Sequence, residues 1–189
     1  YPIEFMTALL SIEYSAKSAN SEHKIQQAIS ECRRMGITLL PPEINKSDRF
    51  FTIEDHEGSL NDKAIRFGFV AIKNVGTAAM ETIIEKRADR PFTGVVDFLS
   101  RIDSRKANKK VVECLAKIGA FSSFSNSASV LEQYEEIKKL ADQNAMLSSD
   151  SDTLFSNQEE EKEVHTADVF SQIEEYPQAE LLSFEKELL

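Results

Sequence analysis

Cysteine is scarce in this chain of 189 residues: Cys32 and Cys114 are the only two, and neither has a CxxC partner. Both fall in helical patterns, so buried, reduced thiols in a cytoplasmic protein are expected rather than a disulfide framework. Histidine is as thin. His23, His56 and His165 stand far apart with no ligand-like spacing, which leaves no chemistry to assign to them. There is no run of eighteen apolar residues and no signal-like N-terminus, so neither a membrane helix nor a visible export route is expected. A nucleotide phosphate loop is absent too. Between Gly68 and Gly76, Lys73 is not followed by Ser or Thr at the end of a glycine-rich turn. What remains is a hydrophobic content of 41%, enough to build a core for one or two domains. The chain starts at Tyr1 and stops at Glu187-Leu188-Leu189 without punctuation, which reads as a piece of a longer protein.

The net charge of −10 argues against a nucleic-acid binder until it is divided along the chain. Residues 1–125 carry 18 Lys and Arg against 16 Asp and Glu, whereas residues 126–189 carry 4 against 16. Residues 63–117 hold 12 basic and 6 acidic side chains. The acidity therefore belongs to the last third, and a basic middle segment is left that suits a phosphate-binding module followed by an acidic linker.

Apolar periodicity predicts a helix from Ile3 to about Ala16, with Phe5, Met6, Leu9, Leu10 and Ile12 as its buried stripe. A second helix is expected after the Asn20-Ser21 cap, carrying Ile25, Ala28, Ile29, Cys32 and Met35 up to Gly36, a good residue just past a helix end. Pro41-Pro42 enforces an extended path. Phe50–Glu54 and Ala64–Phe69 read as two short strands around the polar turn His56–Asp62. Pro91 and Gly94 precede a helix at about Val95–Ile102. The basic run Arg101, Arg105, Lys106, Lys109 and Lys110 leads into a helix with Val111, Val112, Leu115 and Ile118, which stops at Gly119. Ser127 to about Met146 reads as one helix with Val130, Leu131, Tyr134, Ile137 and Leu140 inward. Residues 147–172 have the composition of a mobile acidic linker, and a last helix with Leu181, Leu182, Phe184, Leu188 and Leu189 begins after Pro177. Asp150 and Asp152 have the one-residue spacing of a carboxylate pair that holds two catalytic metal ions. They sit among serines in an acidic stretch rather than on a rigid strand, so the metal reading is set aside.

The segment Ile65–Arg87 carries the most chemistry. A short apolar stretch meets a tight turn at Asn74-Val75-Gly76, and a helix opens at once with Thr77-Ala78-Ala79. Asn74 and Gly76 are residue types that tolerate positive φ, and Ile72 and Val75 point inward. A helix that starts at such a turn offers free N–H groups and a positive dipole end to an anion. The segment resembles a helix-hairpin-helix, a module that grips phosphate without reading bases. Asn74 stands where the usual pattern has a first Gly, and Met80 where it has a small residue. Lys117-Ile118-Gly119-Ala120 resembles a second, degenerate turn of the same kind, so that the two would make a paired unit.

Six strings, YPIEFMTALL, ECRRMGITLLPPEIN, IRFGFVAIKNVG, PFTGVVDFLSRID, NKKVVECLAKIGAF and SFEKELL, are similar in order and spacing to the alpha subunits of bacterial DNA polymerase III, a DNA-directed nucleotidyltransferase. The resemblance implies a mainly α chain with a small β element. Residues 1–60 would end the fingers, 61–125 would form the tandem hairpin domain, 126–146 a connecting helix and 147–176 an acidic flexible linker. Residues 177–189 would begin a helix toward the next domain. The family's catalytic aspartates, with their magnesium, belong to a palm upstream of Tyr1, so no cofactor and no catalytic residue is expected here. The implied work is sequence-independent grip on double-stranded DNA, with Lys73, Asn74, Val75, Gly76 and Thr77 at the phosphate. Arg105, Lys106, Lys109 and Lys110 would lie along the duplex backbone. A sliding-clamp peptide is implied at Leu154 and Phe155, where Ser151 replaces the customary Gln. Thr166–Phe170, ending in Val169 and Phe170, is a competitor for that role, and other replisome subunits would be met through the parent chain. Two alternatives stay open: a non-catalytic repair or recombination module with the same hairpins, and a clamp adaptor whose acidic segment does the work.

Overall fold

A computed structural model describes residues 1–16, 21–150 and 171–189. Eight helices and a three-stranded sheet are found among them: α1 (Pro2–Ala16), α2 (Ser21–Arg34), β1 (Thr38–Leu40), β2 (Thr52–Asp55), β3 (Lys63–Arg66), α3 (Thr77–Asp89), α4 (Val95–Arg101), α5 (Lys109–Lys117), α6 (Ser127–Glu132), α7 (Tyr134–Asp150) and α8 (Gln178–Leu188). The chain is thus mainly α with a small β element, as the sequence suggested. β3 is the central strand, parallel to β1 and antiparallel to β2. β1 was not foreseen, being three residues of ordinary apolar chain ahead of Pro41-Pro42.

Two helix ends stop where glycine allows it. At Gly36 (φ +72°) the N–H of Ile37 reaches back to the Cys32 carbonyl and that of Gly36 to Arg33. At Gly119 (φ +72°) Ala120 and Gly119 do the same to Leu115 and Ala116. This paired 6→1 and 5→2 bonding satisfies the carbonyls a helix end leaves open, and it needs the left-handed backbone that glycine adopts without strain.

Two apolar clusters form the core. One lies under α1, α2 and the sheet, with Ile3, Met6, Leu10, Tyr14, Cys32, Ile65 and Phe67. The other fills the space among the remaining helices, with Ile72, Val75, Ile83, Phe98, Leu115, Phe121, Ile137 and Leu188. Val70 and Leu189 pack against both. The expected stripe on α1 needs correction: Met6 and Leu10 are buried with Ile3 and Tyr14, but Phe5 is 66% and Ile12 63% exposed. α1 is apolar on more than one side, and its sequence does not say which side meets α2 and the sheet.

The helix expected from Ser127 to Met146 is broken. Gln133, at φ −107° and ψ 16°, separates α6 from α7. At the break the Gln133 side-chain amide donates to the Ser171 carbonyl and its oxygen accepts from the Ser171 hydroxyl, a long-range tie at the point where the helix direction changes.

The string PPEIN is where the two halves are pinned together. Ile44 is fully buried, and its N–H donates to the Ala120 carbonyl at 2.9 Å. Asn45 makes a reciprocal pair with the backbone of Phe92 at 2.8 and 2.9 Å. Arg87, near the end of α3, donates to the carbonyls of Ile44 and Ser47, and burial lowers its pKa. Nothing in the sequence marked Asn45 or Arg87 for these roles.

Candidate nucleic-acid interface

The first turn is built from a single 3-10 turn, Phe69–Ala71, rather than from a full helix on its entering side. Ile72 and Val75 are buried beneath it at 3% and 5% exposure, as their apolar character requires. Asn74 takes the left-handed conformation (φ +68°), and its side-chain amide reaches the Cys114 sulfur on α5 at 3.8 Å. Gly76 does not take it. With φ −79° and ψ 163° it is the extended N-cap of α3, and a Cβ built on it meets nothing within 4 Å. Of the two turn positions thought to tolerate positive φ, only the asparagine uses it.

Gly76 has no side chain to cap α3, so the helix start stays open. Ala79 and Met80 donate to the Gly76 carbonyl, while the N–H groups of Gly76, Thr77 and Ala78 meet no acceptor among the described residues. Three N–H groups without an acceptor thus stand at the positive end of a thirteen-residue helix, at exposed Gly76, Thr77 and Ala78, an arrangement whose chemistry suits an anion.

The second turn differs. After Gly119 the chain turns on through Ser125 before α6 begins at Ser127, and the start of α6 is filled from within. The Glu175 carboxylate accepts from the N–H groups of Ser127 and Ala128 at 2.9 and 3.0 Å, and the Asn126 side chain accepts from Ser129 at 2.8 Å. A carboxylate on two adjacent helix-start amides is placed as a phosphate would be. The degenerate second turn therefore offers no open anion site. The cap comes from a residue 48 positions away from Ser127, which no local pattern announces.

The basic run also separates in space. Arg101 is structural: it donates to Asp97 and to the carbonyls of Lys86 and Arg90, and its guanidinium stacks 4.6 Å over the Phe92 ring. Arg105 is tied to Asp103 at 3.2 Å, and that pair lowers the Asp103 pKa. Lys109 turns toward α7, paired with Glu135 at 2.6 Å and lying 5.0 Å over Tyr134; the Glu135 hydrogen bond raises its pKa. Lys106 and Lys110 are exposed, and neither is in an ion pair among the described residues. Lys110 lies one helical turn before Cys114, on the α5 face that meets Asn74, and its charge reaches the Cys114 thiol. Burial raises that thiol's pKa, and Lys110 and Lys117 act against the rise. The structure therefore brings Lys110 toward the first turn and turns Lys109 away from it.

Lys73 is exposed but partnered: its backbone N–H donates to the Leu188 carbonyl at 2.8 Å and its ammonium to the Glu187 carbonyl at 3.0 Å, both on α8. Leu154 and Phe155, the competing Val169 and Phe170, and Asp152 lie outside the described residues. So does most of the segment expected as an acidic linker. Residues 171–176, also expected there, are bonded to α6 through Ile173, Glu175 and Tyr176. Among the described residues no group of three or more His, Cys, Asp and Glu could hold a metal ion, and no helix is long and apolar enough to cross a membrane.

The helix-hairpin-helix motif family matches residues 36–131, just over half of the chain and all of the region between the Gly36 turn and α6. DNA polymerase III subunit alpha of Campylobacter jejuni is 35% identical over 190 aligned residues that take in the whole of this chain and 15% of the relative. The subunit from Bacillus subtilis is 34% identical over 190 residues, again covering all of the chain and 16% of the relative. That of Thermus aquaticus is 37% identical over 142 residues, 75% of the chain and 11% of the relative. The chain thus spans about one sixth or less of the curated relatives it matches. With an open helix start behind a buried Ile72–Val75 turn, and that match running through it, the chain belongs to the helix-hairpin-helix family and is similar along its full length to a stretch of the DNA polymerase III alpha subunit.

Proposed function

We propose that this chain is the duplex-gripping part of a DNA polymerase III alpha subunit. It holds the phosphate backbone without reading sequence, so that template-directed synthesis elsewhere in the parent proceeds on duplex that does not slip away. The observation that carries the reading is the open start of α3, where the exposed residues Gly76, Thr77 and Ala78 leave three amides without an acceptor among the described residues, with Lys110 on the α5 face that meets Asn74. The geometry suits a phosphate better than a base edge: the one side-chain amide of the turn, that of Asn74, is turned onto Cys114. Thr77 adds an exposed hydroxyl at the first helical position. Grip of this kind lives on phosphate neutralisation, so log K falls with log salt by ~0.9 per phosphate contact.

The separation of the basic run gives a test. Lys110→Ala is expected to weaken binding to any duplex alike and to flatten the salt slope by about 1. Lys109→Ala, whose charge is already matched by Glu135, is expected to change the slope by less than half as much. Fluorescence anisotropy with two duplexes of unrelated sequence, each titrated at several salt concentrations, measures both. Equal effects of the two substitutions would remove Lys110 from the phosphate path, and loss on one duplex alone would contradict backbone recognition.

A further inference from the structure

The first turn is lightly held on its entering side. A single 3-10 turn, Phe69–Ala71, leads into it, and the Val75 N–H closes on the Ile72 carbonyl at a long 3.4 Å. A side-chain tie runs from its exposed side to α5, where the Asn74 amide donates to the Cys114 sulfur 40 residues further on. α5 is a firm reference for that tie. Asn108 caps its start by accepting from the Val111 N–H, Gly119 ends it, and Val111, Val112, Leu115 and Ala116 are buried in the core. Cys114 is 6% exposed, with Lys110 one helical turn before it and Lys117 one turn after, and both charges reach the thiol. Position 74 thus meets two demands. Its φ of +68° belongs to the region that Gly, Asn and Asp tolerate. The tie needs a side-chain N–H donor, which Gly and Asp lack. Among those three types only asparagine satisfies both.

We propose that Asn74 is a positioning residue: its contact with Cys114 registers the open start of α3 against α5, so that the α3 amides and the Lys110 ammonium engage one duplex backbone at the same time. The proposal rests on the duplex-binding reading above and adds the part that sets the spacing. Gly76 follows Asn74 by two residues, so the backbone angles at Asn74 direct the amides of Gly76, Thr77 and Ala78. Lys110 shares its α5 face with Cys114, so the Asn74 side chain joins the two groups that meet phosphate. Glycine at position 74 would turn the chain without strain, yet leave α3 and α5 joined at this point by apolar packing. Such packing is non-directional, whereas a hydrogen bond fixes an orientation. Groups already held at the right spacing bind more tightly, because less ordering is left for the binding step. The Asn74 amide itself is occupied by the thiol, so it acts through its neighbours and does not touch the phosphate.

Two measurements on the whole chain test this. In the first, without DNA, two-dimensional NMR follows the Asn74 side-chain amide protons, assigned by their loss in Asn74→Gly. Cys114→Ala is expected to move them while the other side-chain amides stay where they are in wild type. Unmoved Asn74 signals, with folding verified by circular dichroism, mean that the contact is not made, and the positioning role is overturned whatever DNA does. In the second, affinity for a mixed-sequence duplex and its salt slope are measured for wild type, Asn74→Gly, Lys110→Ala and the double variant. Asn74→Gly is expected to bind about fivefold more weakly, the size of effect one lost hydrogen bond gives. In that background Lys110→Ala is expected to flatten the slope by less than half of the ~1 it takes from wild type, because an α3 start out of register no longer brings the lysine to a phosphate. A residue that merely supported the fold would weaken binding and leave the Lys110 effect intact. That result, or equal affinity of Asn74→Gly and wild type, overturns the positioning and leaves the grip standing. Wild-type protein that fails to bind duplex at any salt overturns the grip, and the positioning with it.

Discussion

Replacing Gly68 with alanine is expected to cost the fold more than any other single methyl group. Gly68 is extended (φ −82°, ψ 158°), so the effect has nothing to do with left-handed backbone. It is a matter of room. A Cβ on Gly68 would lie 2.5 Å from the Phe50 carbonyl oxygen and 2.8 Å from that of Arg49, and closer still to the Phe50 carbonyl carbon. These are backbone atoms and cannot swing aside as a flexible side chain would. They are also held in place, because the carbonyls of Asp48 and Arg49 accept from Phe69 and Val70 at 2.8 and 3.0 Å. Relief requires separating residues 48–50 from the 3-10 turn, which breaks that pair and lifts the fully buried Phe69. Overpacking typically costs ~1–3 kcal/mol and occasionally more, and an obstructing backbone places Gly68→Ala at the upper end or beyond. Urea unfolding should show a midpoint far below wild type, or no folded baseline. A loss under ~1 kcal/mol would mean the strand-to-turn crossing is looser than drawn. Because the 3-10 turn carries the first hairpin, duplex affinity is expected to fall with stability.

Arg66→Met is expected to be the second large loss, and it comes with a pH signature. The Arg66 side chain is 8% exposed, at the end of the central strand, and it makes a two-pronged pair with Glu54 at 2.5 and 2.7 Å as well as donating to the Pro41 carbonyl at 2.7 Å. Removing one member of such a pair leaves a carboxylate with little water and no partner, and breaking buried pairs typically costs ~3–5 kcal/mol. Glu54 is 29% exposed, which brings the expectation to about 3 kcal/mol. The Arg66 hydrogen bond holds the Glu54 carboxyl below its ordinary value of 4.5. A group whose folded pKa is depressed stabilises fully above its unfolded value and loses that contribution as pH falls through the folded one. Wild-type stability should therefore fall below about pH 4.5 more steeply than that of Glu54→Gln, and Arg66→Met should lose this part of the acid limb. Replacing both partners by apolar side chains should recover much of the single-variant loss. If Arg66→Met costs under ~1 kcal/mol and leaves the acid limb unchanged, the pair is not a structural element of the sheet.

How much of this was legible beforehand follows from the range of each interaction. Helix ends at Gly36 and Gly119 could be read because the signal is local: an apolar run, then a residue free to turn left-handed. The two strands around His56–Asp62 and the inward pair Ile72–Val75 were legible for the same reason. The break at Gln133 was not, because no Pro or Gly marks it and its partner Ser171 is 38 residues away. The outward turn of Phe5 and Ile12 was hidden because apolar character says that a residue can be buried, not which side a neighbour takes. Gly76 invited a left-handed reading by its type, yet the backbone gave that conformation to Asn74. At the candidate interface, the open start of α3 could be anticipated from the sequence of its first turn. The pairing of Lys109 with Glu135, of Lys73 with α8 and of Glu175 with α6 joins residues 26, 114 and 48 positions apart. Such pairings are settled by packing, and composition cannot foretell them.

The central claim, that the open start of α3 holds a duplex phosphate, is tested most directly by Gly76→Asp. The position is extended and a Cβ there meets nothing within 4 Å, so the backbone accepts the change. Aspartate is among the best N-cap residues, and its carboxylate satisfies the helix-start amides that glycine leaves open, which is worth ~0.5–1 kcal/mol of stability. The same carboxylate occupies the phosphate position and repels what would bind there. Side-by-side titration with a mixed-sequence duplex and urea unfolding should show a protein at least as stable as wild type that binds at least about tenfold more weakly, with a salt slope lower by ~0.9. A Gly76→Asp protein that is folded and equally stable, and that binds duplex as tightly as wild type with the same slope, would contradict it.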